Sequence, residues 1–343
     1  MLVRSLLQQN TTKICCNTLY PQIRYGSNYS KKASTEVVKK ASTEVVKIYD
    51  TALEKIRERF PRISAVYSLV YGGLRGIMND VKESFRIVGK ASANNGSAQC
   101  LSLEELEFFH NFKLSSRKLF PIGALAVLPF GNGLIIPLVY FLPRKTVTHH
   151  FWTEHQRATF PFEDHKDRLK HRTLVLNYLK ECSSGRIADD VLKDWRKLTA
   201  MLDQGARPEV SDVAKVSSLF ARSGPFYLQT LPKLHLMHLG STYGITAILS
   251  PTRKIIRFAQ LGVLMDRKIV ERGGPKALPA ELRSKICYMR GVDSMNMSQE
   301  EQIAFLQKWI QLNAKIDISN YSLLLHTPIL LGYNTAHNVL KKR

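Results

Sequence analysis

Histidine titrates closest to neutral pH, and two stretches of this 343-residue chain bring histidines together. His149, His150 and His155 fall within HHFWTEH, directly after a long uncharged run. His235 and His238 stand three apart where the period is helical, so both imidazoles would share a face and could in principle share a metal ion. That pair has no acidic or cysteine ligand nearby, and the first group follows Arg144 and Lys145 and surrounds Trp152, residues suited to anchoring a membrane segment at the headgroups. No metal site and no cofactor are therefore expected. The five cysteines, at 15, 16, 100, 182 and 287, form no CxxC pair and suit neither zinc nor a disulfide framework. A P-loop, a dinucleotide fingerprint and a hydrolytic constellation are also missing, so an enzyme is not expected.

Cationic side chains carry a stronger pattern. The net charge of +22 favours an anionic partner and says nothing about fold. Between Arg253 and Lys285 nine Lys or Arg residues stand against three acids. Arg253, Arg257 and Arg267 fall on the side of a helix away from Ile255, Phe258, Met265 and Ile269. This is a candidate docking face for rRNA, a ribosomal protein or cardiolipin, although a solvated helix face has the same pattern. Leu278 to Leu312 reads as two short helices about a turn at Gly291, with a capping box at Ser298 and Glu301, and core packing is favoured there over contact with RNA.

The uncharged run spans 119–143, long enough at about 1.5 Å per residue to cross a hydrocarbon core of roughly 30 Å. Pro129 and Pro137 each remove a backbone donor from its middle and bracket Gly131-Asn132-Gly133. Pro129, Asn132 and Pro137 are thus a candidate polar notch in a span, lining a path or meeting a partner helix, with a plain packing kink as the alternative. Lys and Arg are balanced at the two ends (113, 117, 118 against 144, 145, 157), so charge does not set orientation.

These residues must be positioned by helices, since strand alternation is nearly absent and the fold class is all-α. The first 35 residues lack Asp and Glu and carry five basic residues, as in a mitochondrial transit peptide, here assigned to 1–30. Residues 31–47 contain a duplicated octapeptide, KKASTEVV, read as a linker. An N-terminal helical region is expected over 48–118, with one helix ending at Pro61 and another from Ile63 to about Val88, whose GGLRG suits close helix packing. Ala91 to Ser97 reads as a loop, and Ser102 and Glu105 as a capping box. Beyond the span, helices are expected at 151–158, 164–182, 188–203, 209–222, 225–239, 252–272, 279–290, 299–312 and 319–331, forming a domain over 144–332 before a basic tail at 333–343.

Taken together, LFPIGALAVLPFGNGLIIPLVYFLPRK, HHFWTEHQ, LPAELRSKICYMRGVDSMNMSQEEQIAFLQKWIQL and SLLLH resemble the LETM family of mitochondrial inner-membrane proteins, in its LETM domain-containing branch. The resemblance covers about residues 55–332. It implies a single-pass inner-membrane protein whose C-terminal helical, ribosome-binding-like domain faces the matrix with a 14-3-3-like fold. It further implies partners among mitochondrial ribosomes, respiratory assembly factors and lipids such as cardiolipin, with a homo-oligomer left open. Ion exchange and direct RNA binding are the alternative functions. Founding members carry an acidic residue after the Pro-Phe pair of the span, whereas here Pro129-Phe130 is followed by Gly131, Asn132 and Gly133, and an amide does not titrate. The calcium-binding loop and long heptad segment of those members are also missing.

Overall fold

The structure is a computed structural model that describes residues 61–127, 131–181, 189–246, 250–315 and 321–334. The transit peptide, the duplicated linker, the helix expected to end at Pro61, Pro129 and most of the basic tail lie outside the described residues. Among those described there is no strand, and the class is all-α. Twelve helices are named in chain order. The first is α1 (Pro61–Ala93), followed by α2 (Leu103–Val127), α3 (Gly131–Phe141) and the single turn α4 (Pro143–Thr146). Then come α5 (Glu154–Glu181), α6 (Asp189–Asp203), α7 (Val210–Lys215) and α8 (Lys233–Ser241). The last four are α9 (Pro251–Glu271), α10 (Ala280–Met289), α11 (Gln299–Lys315) and α12 (Tyr321–Gly332).

Contacts divide the chain into two compact units. One holds Ser102–Glu107 and the described part of Pro161–Arg343; the other holds the described part of Tyr20–Leu101 together with Phe108–Phe160. In the first, α9 packs against α8 and α12, α11 against α10 and α7, and α7 against α6 and α12. Its core gathers Trp195, Phe220 and Phe226 with ring centroids 5.2 to 6.2 Å apart, and Leu176, Leu198 and Leu239 fill the space around them. The SLLLH segment lies in α12, where every residue from Ser322 to Leu330 is buried, the position expected of a helix apolar on all sides.

Local signals account for several helix ends. Ser102 and Glu105 exchange backbone-to-side-chain hydrogen bonds of 2.8 and 3.2 Å at the start of α2, and Ser298 and Glu301 repeat both distances at α11. Gly291, with φ of 86°, takes the left-handed conformation that ends α10. Other boundaries differ from expectation. The helices expected at 151–158 and 164–182 are one helix, α5, which runs through Pro161 and starts from a Thr153–Gln156 capping box with bonds of 3.1 and 3.3 Å. A proline removes one intrahelical donor, and 28 residues of continuous helix absorb that loss. Ala91–Ala93 continue α1 instead of opening a loop; Asn95 and Gly96 at positive φ end it. Residues 225–232 are turns, because Pro232 caps the start of α8 and leaves no helix before it.

The uncharged run is shared between the end of α2 and all of α3, with Pro121 and Pro137 each inside a helix. Among the described residues no helix is long and apolar enough to cross a membrane, so the single span expected over 119–143 has no counterpart as one described helix.

Candidate functional site

The basic face is built on α9, whose amphipathic pattern drives one side inward. Ile255, Ala259, Met265 and Ile269 are buried. Phe258, expected among them, is half-buried against Tyr243 with ring centroids 4.8 Å apart, beside a small apolar cavity. Arg253 and Arg257 are exposed one turn apart on the opposite side, and neither pairs with a described acid. Arg267 is half-buried, with its Nε enclosed and without a hydrogen-bond partner. It stands ten residues from Arg257, about 15 Å along the helix axis. The structure therefore joins Arg253 and Arg257 as a surface and sets Arg267 apart.

What fixes this helix is a charge on its buried side. Asp266, 6% exposed, receives a hydrogen bond from Arg290 at the end of α10, one of 2.9 Å from the Trp309 indole N–H and one of 2.6 Å from the Asn313 amide on α11. Arg290 also lies over the Trp309 ring, 5.5 Å from its centroid. One carboxylate thus ties three helices together. In the sequence Asp266 figures only as one of the three acids between Arg253 and Lys285. Its place next to buried Met265 was the available signal. A second basic group also escaped notice: Lys193, Arg196 and Lys197 are exposed on α6 at a three-and-four spacing, opposite buried Trp195, Leu198 and Leu202.

The histidines expected as a pair on α8 are parted by their partners. His238 Nδ1 meets His171 Nδ1 on α5 at 3.0 Å, and His235 Nε2 meets His326 Nε2 on α12 at 3.0 Å. His326 Nδ1–H donates to the Ser322 carbonyl at 2.7 Å, so in the neutral ring its Nε2 accepts from His235. Burial lowers His326 to about 4 and His235 to about 2, and at His235 the neighbouring His326 and His238 rings add to the effect. Nearby, Arg172 is buried and none of its guanidinium nitrogens has a hydrogen-bond partner, while burial brings it down to about 10. Arg168, one turn earlier, donates to the Tyr288 carbonyl at 3.2 Å and lies 4.2 Å from the Tyr288 ring centroid.

Asn132 lies in the first turn of α3, Pro137 is exposed within that helix, and Pro129 lies outside the described residues. Phe120, Tyr140 and Phe141, in the same run, are 77%, 78% and 74% exposed. In the same unit, His150 Nε2 meets Asp80 Oδ2 at 2.8 Å, and desolvation by the surrounding packing holds the adjacent His149 below its ordinary value.

The family profile described as "LETM1-like, RBD" matches residues 101–330, two thirds of the chain. This chain belongs to the LETM1-like family. Relatives named "LETM1 domain-containing protein 1" place it in the domain-containing branch. The one from Homo sapiens is 26% identical over 280 residues, covering 80% of this chain and 77% of the relative. That from Xenopus tropicalis is 25% identical over 329 residues, covering 95% and 92%. The Bos taurus relative is 26% identical over 280 residues, covering 80% and 77%. Within this LETM1-like chain the family match takes in α2 through most of α12, including both basic helices and the Asp266 network.

Proposed function

We infer that this LETM1-like chain is a mitochondrial inner-membrane docking protein whose C-terminal helical unit binds the mitochondrial ribosome from the matrix side, in support of respiratory-complex biogenesis. The observation that carries the reading is the exposed Arg253–Arg257 face, unpaired with any described acid and held outward by a buried carboxylate on the same helix. A guanidinium presents a planar donor fork to phosphate, so such a face suits rRNA or an acidic ribosomal protein. Membership in a family whose profile is described as RBD supports a ribosome-binding domain. The exposed aromatic residues of the 119–143 run support a membrane segment there, because side chains that face lipid stand exposed on the isolated chain.

The test is co-sedimentation of the full chain with mitochondrial ribosomes across a salt series. Each arginine–phosphate pair removed should flatten the slope of log affinity against log salt by about 0.7 to 0.9. Arg253→Glu with Arg257→Glu is expected to abolish the salt-sensitive component, and adding Arg267→Glu should change little more. Unaltered binding by the double variant would refute the docking face. Loss of binding to cardiolipin vesicles, with ribosome binding intact, would move the partner to the lipid surface.

A further inference from the structure

We propose that Asp80, His149 and His150 form a binding site for a divalent transition metal of the zinc class, on α1 and the short 3₁₀ turn His149–Phe151 that packs across it. The site begins with glycine. Gly73, Gly76 and Asp80 follow one another at three and four residues, so they line one stripe of α1. A Cβ on Gly73 would come within 2.3 Å of the Phe151 ring, and one on Gly76 within 2.4 Å of His150 Nδ1. Two of the three glycines of GGLRG, Gly73 and Gly76, thus let the turn lie directly on the helix backbone. With its Nδ1 edge over Gly76, the His150 ring directs Nε2 at Asp80 Oδ2, 2.8 Å away.

The third ligand comes from the preceding residue. The His149 ring stands 4.0 Å from that of His150, and one donor atom from each of the three side chains lies within 4.8 Å of the other two. With metal–ligand bonds of about 2.1 Å, tetrahedral donors stand roughly 3.4 Å apart. The His150–Asp80 pair opens slightly from 2.8 Å as the metal enters, and His149, on the solvent side, closes in from within 4.8 Å. Asp80 and His150 keep 24% and 17% of their side-chain surface, enough for an entry path, and their hydrogen bond holds the pair ready until the metal displaces the shared proton.

Two imidazoles and a carboxylate are borderline donors. They suit zinc, cobalt, iron(II) or nickel better than calcium and magnesium, which favour oxygen alone, or copper(I), which favours sulfur. Three protein ligands also leave a position open for water or a fourth donor. Lys118 and Arg157 act on His149 with positive charge and oppose a cation, so the Asp80 carboxylate is indispensable to the site. Among the described residues no other group of three such side chains has this spacing.

The test uses the purified full chain in detergent, stripped with chelator and titrated with Co²⁺ alone, followed by displacement with Zn²⁺. One equivalent of Co²⁺ with visible d–d absorption, displaced by Zn²⁺, is the expected result. Asp80→Asn and His149→Ala should each weaken binding at least about tenfold, and His149→Ala is the cleaner variant because its side chain is exposed. His155→Ala, also exposed, should bind as the unmodified chain does. Absence of a Co²⁺ complex, unchanged affinity in His149→Ala, or equal loss in His155→Ala would overturn the proposal.

Discussion

Replacing Asp266 by alanine separates a structural charge from an ornamental one. The side chains of Asp266 and Arg290 are 9% and 5% exposed, so removing the carboxylate leaves a guanidinium enclosed with no counter-ion. Breaking a buried pair from one side costs about 3–5 kcal/mol, since the survivor remains charged and desolvated. The Trp309 N–H and the Asn313 amide lose the same acceptor, but these losses overlap with the first and are not added to it. The expected loss is about 4 kcal/mol, a large share of the roughly 5–15 kcal/mol typical of a folded domain. Urea unfolding followed by tryptophan fluorescence measures it, with Trp309 beside the lesion. Removing both charges together, as Asp266→Leu with Arg290→Met, should restore most of the stability. Because Asp266 holds the buried side of the helix that presents Arg253 and Arg257, ribosome co-sedimentation should fall in the single variant and return in the double. A loss below about 1 kcal/mol, or a double variant no more stable than the single, would refute the reasoning.

Acid should destabilise the C-terminal unit. His235 and His326 titrate near 2 and 4 when folded against an ordinary 6.5, so their stabilisation is complete above pH 6.5 and is lost as pH falls toward 4. Unfolding free energy should drop by roughly 2 kcal/mol per histidine between about pH 6.5 and 5, and His326→Gln should blunt the slope in denaturant titrations. Gly76→Val, which drives a side chain into His150, should cost about 1–3 kcal/mol, read as a lower thermal midpoint, whereas Gly72→Ala, with nothing within 4 Å of its added methyl, should be neutral or stabilising. Ser298→Ala removes half of a reciprocal cap and should cost about 1 kcal/mol in the same measurement. Deleting residues 1–35, which lack acids, should abolish import into isolated mitochondria, read as loss of protease protection.

Periodicity revealed most helices, because the inward faces of α6, α9 and α10 are written in residues three and four apart. Capping boxes were equally plain at Ser102 and Ser298, where a hydroxyl and a carboxylate satisfy each other's backbone amides. Proline misled in both directions. Pro161 suggested a break in what is one helix, while the helix expected from 225 begins after Pro232, since a lone lost hydrogen bond is tolerable but a free amide at a helix start is optional. The exposure of Arg253 and Arg257 was legible because surface charge follows the same helical period, whereas the half-burial of Arg267 was not. Partners contributed by distant segments were not. His235 lies 91 residues from His326, and Asp266 lies 24 and 43 residues from Arg290 and Trp309, separations that only tertiary packing closes.

Docking and ion exchange ask opposite things of titratable groups. An exchanger must carry a side chain that gains and loses a proton within the working range while water can reach it. In the C-terminal unit His326 is committed to the Ser322 carbonyl at one nitrogen and to His235 at the other, and burial keeps both rings neutral far below neutral pH. Asp266 is bound on every side by donors, and Arg172 is held near 10 by burial, still charged at neutral pH. At the candidate notch Asn132 is an amide, which has no proton to trade. His235, His326 and Arg172 hold one charge state through the physiological range, which suits a rigid scaffold. Binding through the proposed Arg253–Arg257 face should follow salt steeply and pH hardly at all between about 7 and 8, since a guanidinium stays charged in water. A pH-dependent affinity in that interval, with the salt slope unchanged, would place a titrating group at the interface and reopen exchange as the leading function.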